Sequence, residues 1–355
     1  MTENQLVIAD RQIGEGSPCL IIAEAGINHN GDIRNAIMLV RKASECRADI
    51  VKFQTFSAST LMSRAISWPK IASITGDDED LYSFADRVAL SPEDHYILQN
   101  ECKEMNIHFL STACTPEEVD FLEEIGVSAY KIASGDLDNI PLLKHVAGKQ
   151  LPILLSTGMS TLAEVDRALD AIYGAGGNDI VLMHCVSLYP LESQYANLRA
   201  IDTMRVAFNL PVGFSDHSIG NTIAVAAVAR GACVIEKHFT LDRAMVGPDH
   251  SCSIDPAHLV ELIHAIRDVE KALGTGRKTP MKPELESKSA MRRSIVGKQR
   301  IPAGIIVTQE MLSFKRPGTG ISPADLKLVI GRCAKRDIKV DELLSLEKHF
   351  YSHDT

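Results

Sequence analysis

Residues 210–240, LPVGFSDHSIGNTIAVAAVARGACVIEKHFT, decide the fold. Two short apolar runs rich in β-branched residues flank an alanine-rich helical stretch, and each run ends on a histidine, His217 and His238. Read as strand, helix, strand, the segment places both imidazoles at the same end of neighbouring parallel strands, where they can share a divalent ion.

The same unit recurs outward along the chain. CLIIAEAG, ADIVKFQT, IHFLSTA, AYKIASG, PILLSTG and DIVLMHC bring the strand-like runs to eight. Between them lie helical patterns such as NAIMLVRKASE, TPEEVDFLEEIG and STLAEVDRALDAI, several opened by Ser or Thr and closed by Gly, as capping favours. Eight such units predict an α/β fold, a closed (β/α)8 TIM barrel with its active site at the strand C-terminal ends. The competing open Rossmann-like sheet would carry a GxGxxG turn after an early strand, and this sequence has none. QLVIADRQIG, ahead of the first unit, predicts a hairpin that plugs the barrel bottom. Residues 56–90 are too long for an ordinary connection and predict a lid or substrate loop containing some helix. The expected domains are a barrel with its hairpin at 1–274, a Gly-, Pro- and Lys-rich linker at 275–292, and a small β-rich domain at 293–355.

Composition narrows the function. A length of 355 residues accommodates a barrel and an appendage, and a formal charge of −9 argues against a nucleic-acid surface, so an anionic substrate would need a locally basic pocket. The N-terminus lacks a signal-peptide pattern and no apolar run approaches the roughly 20 residues of a membrane span, so a cytoplasmic protein without a membrane partner is expected. Eight dispersed cysteines without a CxxC pair predict reduced thiols.

Several strand-end residues can carry chemistry. Glu236 shares the face of His238 as a second ligand or an orienting group, whereas Lys237 points the other way. With two clear imidazole ligands, the other positions fall to substrate oxygens, water or a carboxylate such as Asp249, a pattern suited to Mn or Mg. His184 reads equally well as structural. Lys52 and Lys131 lie within apolar strands, where an ammonium needs an anion. Thr112, Ser134 and Ser156 close three successive strands; singly each reads as a helix N-cap, together with the lysines as a phosphate site. Glu24 can handle a proton or a metal-bound water, or be a structural partner of a lysine. Gln54 shares the inward parity of Lys52, Tyr189 serves packing or recognition, and Asn28, His29 and Asn30 form a polar turn.

The motifs IIAEAGINHNGD, VKFQT, YKIASGD, LSTGM, HCVSLYP, GFSDHS, EKHFTLD, GPDHSCS and KRPG, in this order along nearly the whole chain, resemble the sialic acid (N-acylneuraminate or nonulosonate) synthase family. The tail resembles that family's antifreeze-like (SAF) domain. The resemblance implies an enzyme condensing phosphoenolpyruvate with an N-acylated amino sugar and water, with Mn or Mg bound, in a homodimer whose SAF domains swap between barrels. It implies catalytic roles for Glu24, Lys52, Lys131 and Asp136. Phosphoenolpyruvate would be held by Lys52, Thr112, Lys131, Ser134, Ser156 and Ser187, the sugar by Gln54, Asp77, Tyr189, Asp249 and Arg316, and the metal by His217 and His238. Arg316 would come from the other protomer.

Some positions depart from the family pattern. Asp136 stands where many relatives have Glu, STA replaces STP, Ser187 replaces an Asn, and Asp77 in the acidic GDDED stretch stands near another Asn. These departures leave two acceptors: N-acetylmannosamine, or a 2,4-diacetamido-2,4,6-trideoxyhexose leading to legionaminic or pseudaminic acid. More distant alternatives are an aldolase or lyase with a Schiff base on Lys52 or Lys131, and a non-enzymatic sugar-binding protein.

Overall fold

Eight parallel strands close into a barrel in the computed structural model, which describes residues 6–65 and 79–351. After a hairpin, β1 (Leu6–Ile8) and β2 (Arg11–Ile13), the barrel strands are β3 (Leu20–Gly26), β4 (Ile50–Thr55), β5 (His108–Ala113), β6 (Tyr130–Ile132), β7 (Ile153–Ser156), β8 (Ile180–Cys185), β9 (Val212–Asp216) and β10 (Val234–His238). They neighbour one another in chain order, and β10 pairs with β3 to close the ring. The expected (β/α)8 barrel is therefore the fold.

The inner face changes character along each strand. At the N-terminal end, Leu20, Ile22, Ile50, Leu110, Leu154, Met183 and Val234 form one buried cluster with Leu6, Ile8, Ala9 and Ile13 of the hairpin. The hairpin thus packs into the barrel bottom, as its sequence predicts. One pleat step later the inward residues are Glu24, Lys52, Thr112, Ser156 and Glu236. Gly213 makes this packing possible, because a Cβ there would come within 2.6 Å of Met183 Sδ and 2.8 Å of Val234 Cβ.

Outside the ring, the opposite strand faces bury Ile21, Val51, Phe53, Phe109, Leu155 and Phe214 against the helices. Helix starts are fixed by capping boxes at Ser57, Ser91, Thr115 and Thr161. Within 56–90, the described parts include helices Ala58–Leu61 and Leu81–Val88, the second packing Phe84 and Val88 against Ile27 and Phe56.

The chain divides into two compact units, Met1–Gly274 and Thr275–Thr355. The second has its own core of Ile295, Ile301, Val307, Leu312, Val329, Ile338, Leu344 and Phe350, around the antiparallel pair β11 (Ser294–Gly297) and β12 (Leu312–Lys315). The stretch expected as linker carries a helix, Glu284–Met291, and falls within this unit.

Candidate active site at the strand C-terminal ends

A cavity of about 440 Å³ opens at the C-terminal ends of the barrel strands. Glu24, Lys52, Gln54, Thr112, Lys131, Ser134, Asp136, Ser156, Ser187, Tyr189, His217, His238 and Asp249 all line it. The ladder registers bring them together: His238 lies opposite Glu24, Glu24 opposite Lys52, Gln54 opposite Thr112, and Thr112 opposite Lys131. Of the other expected residues, Asp77 lies outside the described residues. Arg316 belongs to the second unit, where it is exposed and donates from Nε to Met291 O at 3.0 Å.

One wall is ionic. Lys52 Nζ sits 2.7 Å from Glu24 Oε2 and 3.8 Å from Glu236 Oε2, and it donates to Thr112 Oγ1 at 3.0 Å. Lys131 Nζ lies 3.4 Å from Glu236 Oε1, to which Ser215 Oγ donates at 2.9 Å. These four charged side chains are at most 5 % exposed. Burial raises both carboxyls, and the outcome differs with the company each keeps. Lys131 and Lys52 outweigh burial at Glu236 and hold it at about 2. At Glu24 burial prevails over Lys52, and nearby Glu236 adds to the rise. Glu236 is thus a fixed anion and Glu24 a carboxyl that can hold a proton. For Lys52 burial works against the ammonium, but Glu236 and Glu24 more than offset it and raise its pKa.

Hydroxyls cover this wall. The helix N-caps that follow β5, β6 and β7 are Thr115, Asn139 and Thr161, so Thr112, Ser134 and Ser156 are not spent on helix ends. Gly158 N donates to Ser134 Oγ at 3.0 Å. A Cβ at Gly158 would fall 2.5 Å from Ser187 Oγ and 2.7 Å from Ser134 Oγ, so glycine keeps a polar hollow open there. Asp136 stands at the rim, its carboxyl raised by burial although Asn139 donates to it at 3.3 Å.

The facing wall is imidazole. His217 and His238 stack edge to face with ring centroids 5.5 Å apart, and Tyr189 lies 4.1 Å from the His217 ring. His217 Nδ1 donates to Val186 O at 2.8 Å, which fixes the tautomer and puts the lone pair on Nε2, 3.4 Å from Ser215 Oγ. Burial and neighbouring His238 lower the His217 pKa to about 4, so the ring is neutral near pH 7. His238 Nδ1 is buried without a hydrogen-bond partner and lies 3.6 Å from Asp249 Oδ2. Among the described residues, no group of three or more His, Cys, Asp or Glu side chains forms a ready-made metal cage.

Other sequence candidates lie elsewhere. His184 donates from Nε2 to Ala196 O at 2.9 Å and is structural. Asn28 donates to Phe239 O and Ser253 Oγ, and Asn30 to Val246 O, so this loop braces the loop after β10 and does not line the cavity. Sequence reading underrated Glu236, which joins both lysines, and missed Ser215, Gly158, Cys185 and the apolar rim of Phe56, Leu61 and Met159. Ser215 was accessible by alternation, lying two residues before His217 on the same strand face.

Comparison with known proteins identifies the family. The sequence model of the NeuB family matches residues 39–278, and that of the SAF domain matches residues 292–348. The chain is 41 % identical to N,N'-diacetyllegionaminic acid synthase of Legionella pneumophila, over 93 % of this chain and 94 % of that one. It is 34 % identical to N-acetylneuraminate-9-phosphate synthase of Mus musculus, over 97 % and 96 %. The crystal structure of N-acetylneuraminic acid (sialic acid) synthetase from Leptospira borgpetersenii, in complex with citrate, superposes with a TM-score of 0.71 at 33 % identity, covering 79 % of this chain and 94 % of that one. Among the described residues no helix is long and apolar enough to cross a membrane. The chain belongs to the NeuB family and is an enzyme of its carbon–carbon bond-forming synthase type.

Proposed function

We propose that this enzyme condenses phosphoenolpyruvate with the open-chain form of an N-acylated amino sugar and water, giving a nine-carbon 2-keto acid of the sialic acid type and phosphate. One observation carries the reading: a single cavity has an ammonium-and-hydroxyl wall at Lys52 and Lys131 and an imidazole wall at His217 and His238. The first wall suits a phosphate and a carboxylate, which charge-assisted hydrogen bonds from Lys52, Lys131 and the hydroxyls of Thr112, Ser134, Ser156 and Ser187 would hold. A divalent ion, Mn or Mg, fits the second, where His217 Nε2 carries a lone pair held only by a long 3.4 Å contact with Ser215 Oγ, His238 Nδ1 is buried without a hydrogen-bond partner, and Asp249 is at hand. When bound there, such an ion polarises the sugar aldehyde oxygen.

The chain's own groups account for the remaining steps. Glu24 donates a proton towards the aldehyde oxygen as C3 of the enolpyruvate bonds to the aldehyde carbon. Asp136 takes a proton from the water that adds at C2; the bond from C2 to the phosphate oxygen then breaks and the proton of the new C2 hydroxyl passes to the departing phosphate, which Lys52 and Lys131 stabilise, leaving the 2-keto group. A Schiff base on Lys52 is disfavoured because Glu236 and Glu24 raise its pKa and so favour the ammonium over the nucleophilic amine.

For the acceptor we propose a 2,4-diacetamido-2,4,6-trideoxyhexose. Phe56, Leu61 and Met159 at the rim suit methyl and acetamido groups, and the similar Legionella enzyme is named for a diacetylated product. Lys52 and Lys131 are the only Lys or Arg side chains lining the cavity among the described residues, and both stand on the wall assigned to phosphoenolpyruvate. The swapped homodimer, with Arg316 lent by the other protomer, rests on the family resemblance. It also has support from charge, since residues 275–355 carry 16 Lys and Arg against 9 Asp and Glu, while residues 1–274 carry 21 against 37.

The deciding assay supplies phosphoenolpyruvate with N-acetylmannosamine, its 6-phosphate, or the diacetamido sugar, and identifies products by mass. The expected result is phosphate release with all carbons retained and the highest kcat/KM for the diacetamido sugar. No condensation product from any acceptor sinks the reaction; preference for N-acetylmannosamine sinks only the acceptor.

A further inference from the structure

Asp216 and Lys237 form an ion pair on the reverse side of the barrel wall, with side chains 0 % and 1 % exposed and Nζ 2.7 Å from Oδ2. Neither lines the cavity. Each immediately precedes a histidine of the imidazole wall, Asp216 before His217 and Lys237 before His238, and the two are register partners in the β9–β10 ladder. Strand alternation therefore puts the ion pair behind and the imidazoles in front.

The pair does more than neutralise charge. Lys237 Nζ also donates to Ser218 O, and Ser218 N donates to Asp216 Oδ1 at 2.9 Å. The backbone on both sides of His217 is thus tied to the residue that precedes His238. A buried ion pair is weak support for stability, since apolar replacements of similar volume are often neutral or better. Its hydrogen bonds to Ser218, by contrast, fix where the His217 loop leaves the strand.

We propose that Asp216 and Lys237 are positioning residues that set the spacing of His217 and His238 from behind the barrel wall, so that both rings meet one divalent ion. This rests on the metal-binding role proposed above for the two histidines. Groups that orient metal ligands typically change affinity by about 10–100-fold.

The test is Mn titration of the metal-stripped full chain, followed by electron paramagnetic resonance, alongside thermal unfolding. Asp216→Val with Lys237→Met removes the clamp but leaves an apolar pair; it should fold, with an unfolding temperature lowered by the loss of the Ser218 N and O partners, and bind Mn about 10–100-fold more weakly. Asp216→Asn with Lys237→Gln removes the charge but can still accept from Ser218 N and donate to Ser218 O; its affinity should stay within about threefold of wild type. His217→Ala, which leaves the clamp intact, provides the signal for lost metal. A folded Val/Met variant with wild-type affinity overturns the inference. Should that variant fail to fold, the Asn/Gln variant decides: folded yet as deficient as His217→Ala, it overturns the clamp. A wild-type chain that takes up no Mn overturns the metal reading and the inference with it.

Discussion

The two halves of the barrel interior are built from the same strands and the same inward faces, yet one is apolar and the other charged. Ile22, Ile50, Leu154 and Val234 are fully buried among apolar neighbours and the hairpin plug. Two residues further along, roughly 7 Å up each strand, stand Glu24, Lys52, Ser156 and Glu236. The named side chains of both halves are buried, but in the lower one burial is stabilising, at about 1.5–3 kcal/mol for a large aliphatic side chain, whereas in the upper one it must be offset charge by charge. The lower half holds the ring together so that the upper half can keep its buried lysines, carboxyls and imidazoles in place.

Breaking this division gives the largest expected effects. His217→Ala or His238→Ala should lower kcat by about a thousandfold or more, the equivalent of several kcal/mol of lost charge stabilisation, while the unfolding temperature barely moves. Chelation of metal should reproduce the loss in the wild type, and added Mn should reverse it. Leu154→Ala should do the opposite, costing about 2–5 kcal/mol of stability with near-normal kcat in the folded fraction. Equal kinetic damage from both kinds of substitution would erase the distinction between the halves.

A smaller effect is expected in the pH dependence of stability. Burial, with a further contribution from His95, lowers the His29 pKa from 6.5 to about 4, and Gly31 N donates to its Nδ1 at 3.0 Å, so protonation at Nδ1 breaks that bond. The unfolded chain binds this proton more readily than the folded one. His29 therefore contributes full stability above pH 6.5, and that contribution falls as pH drops towards 4, by about 3 kcal/mol in all. Urea unfolding of the wild type and of His29→Asn, whose Oδ1 can accept from Gly31 N, isolates the effect. The variant should lose less stability between pH 7 and pH 4, and parallel losses would show that His29 titrates normally.

How much of this was legible in the sequence depends on the range of the physics. The barrel was legible because strand and helix periods repeat eight times, and the histidine pair because each closes an apolar run. Lys237 was rightly turned outward by alternation, but its partnership with Asp216 and Ser218 is a cross-strand contact that one strand's pattern does not encode. The same holds for Glu236, whose contacts with Lys131 on β6 and Lys52 on β4 cross the barrel interior. Thr112, Ser134 and Ser156 stayed ambiguous between caps and ligands because the caps, Thr115, Asn139 and Thr161, lie only a few residues on. The helix Glu284–Met291 left no apolar periodicity to read, since none of its residues is buried.

The smallest effect sharpens the comparison at a single atom, because Gly158 shows that the upper half is shaped by space as well as charge. An alanine there would put a methyl group into the hollow bounded by Ser187 Oγ and Ser134 Oγ, the latter already accepting from Gly158 N. Nothing in the lower half is touched, so stability should hold. If the hollow receives the phosphate or carboxylate of phosphoenolpyruvate, the methyl displaces about one hydrogen bond to a charged group, and KM for phosphoenolpyruvate should rise about tenfold. The KM for the sugar should change far less, because His217, His238 and Asp249 stand on the other wall. A Gly158→Ala enzyme whose sugar KM rises while its phosphoenolpyruvate KM does not would reverse the assignment of the two walls. The two substrates would then have to exchange places in the cavity.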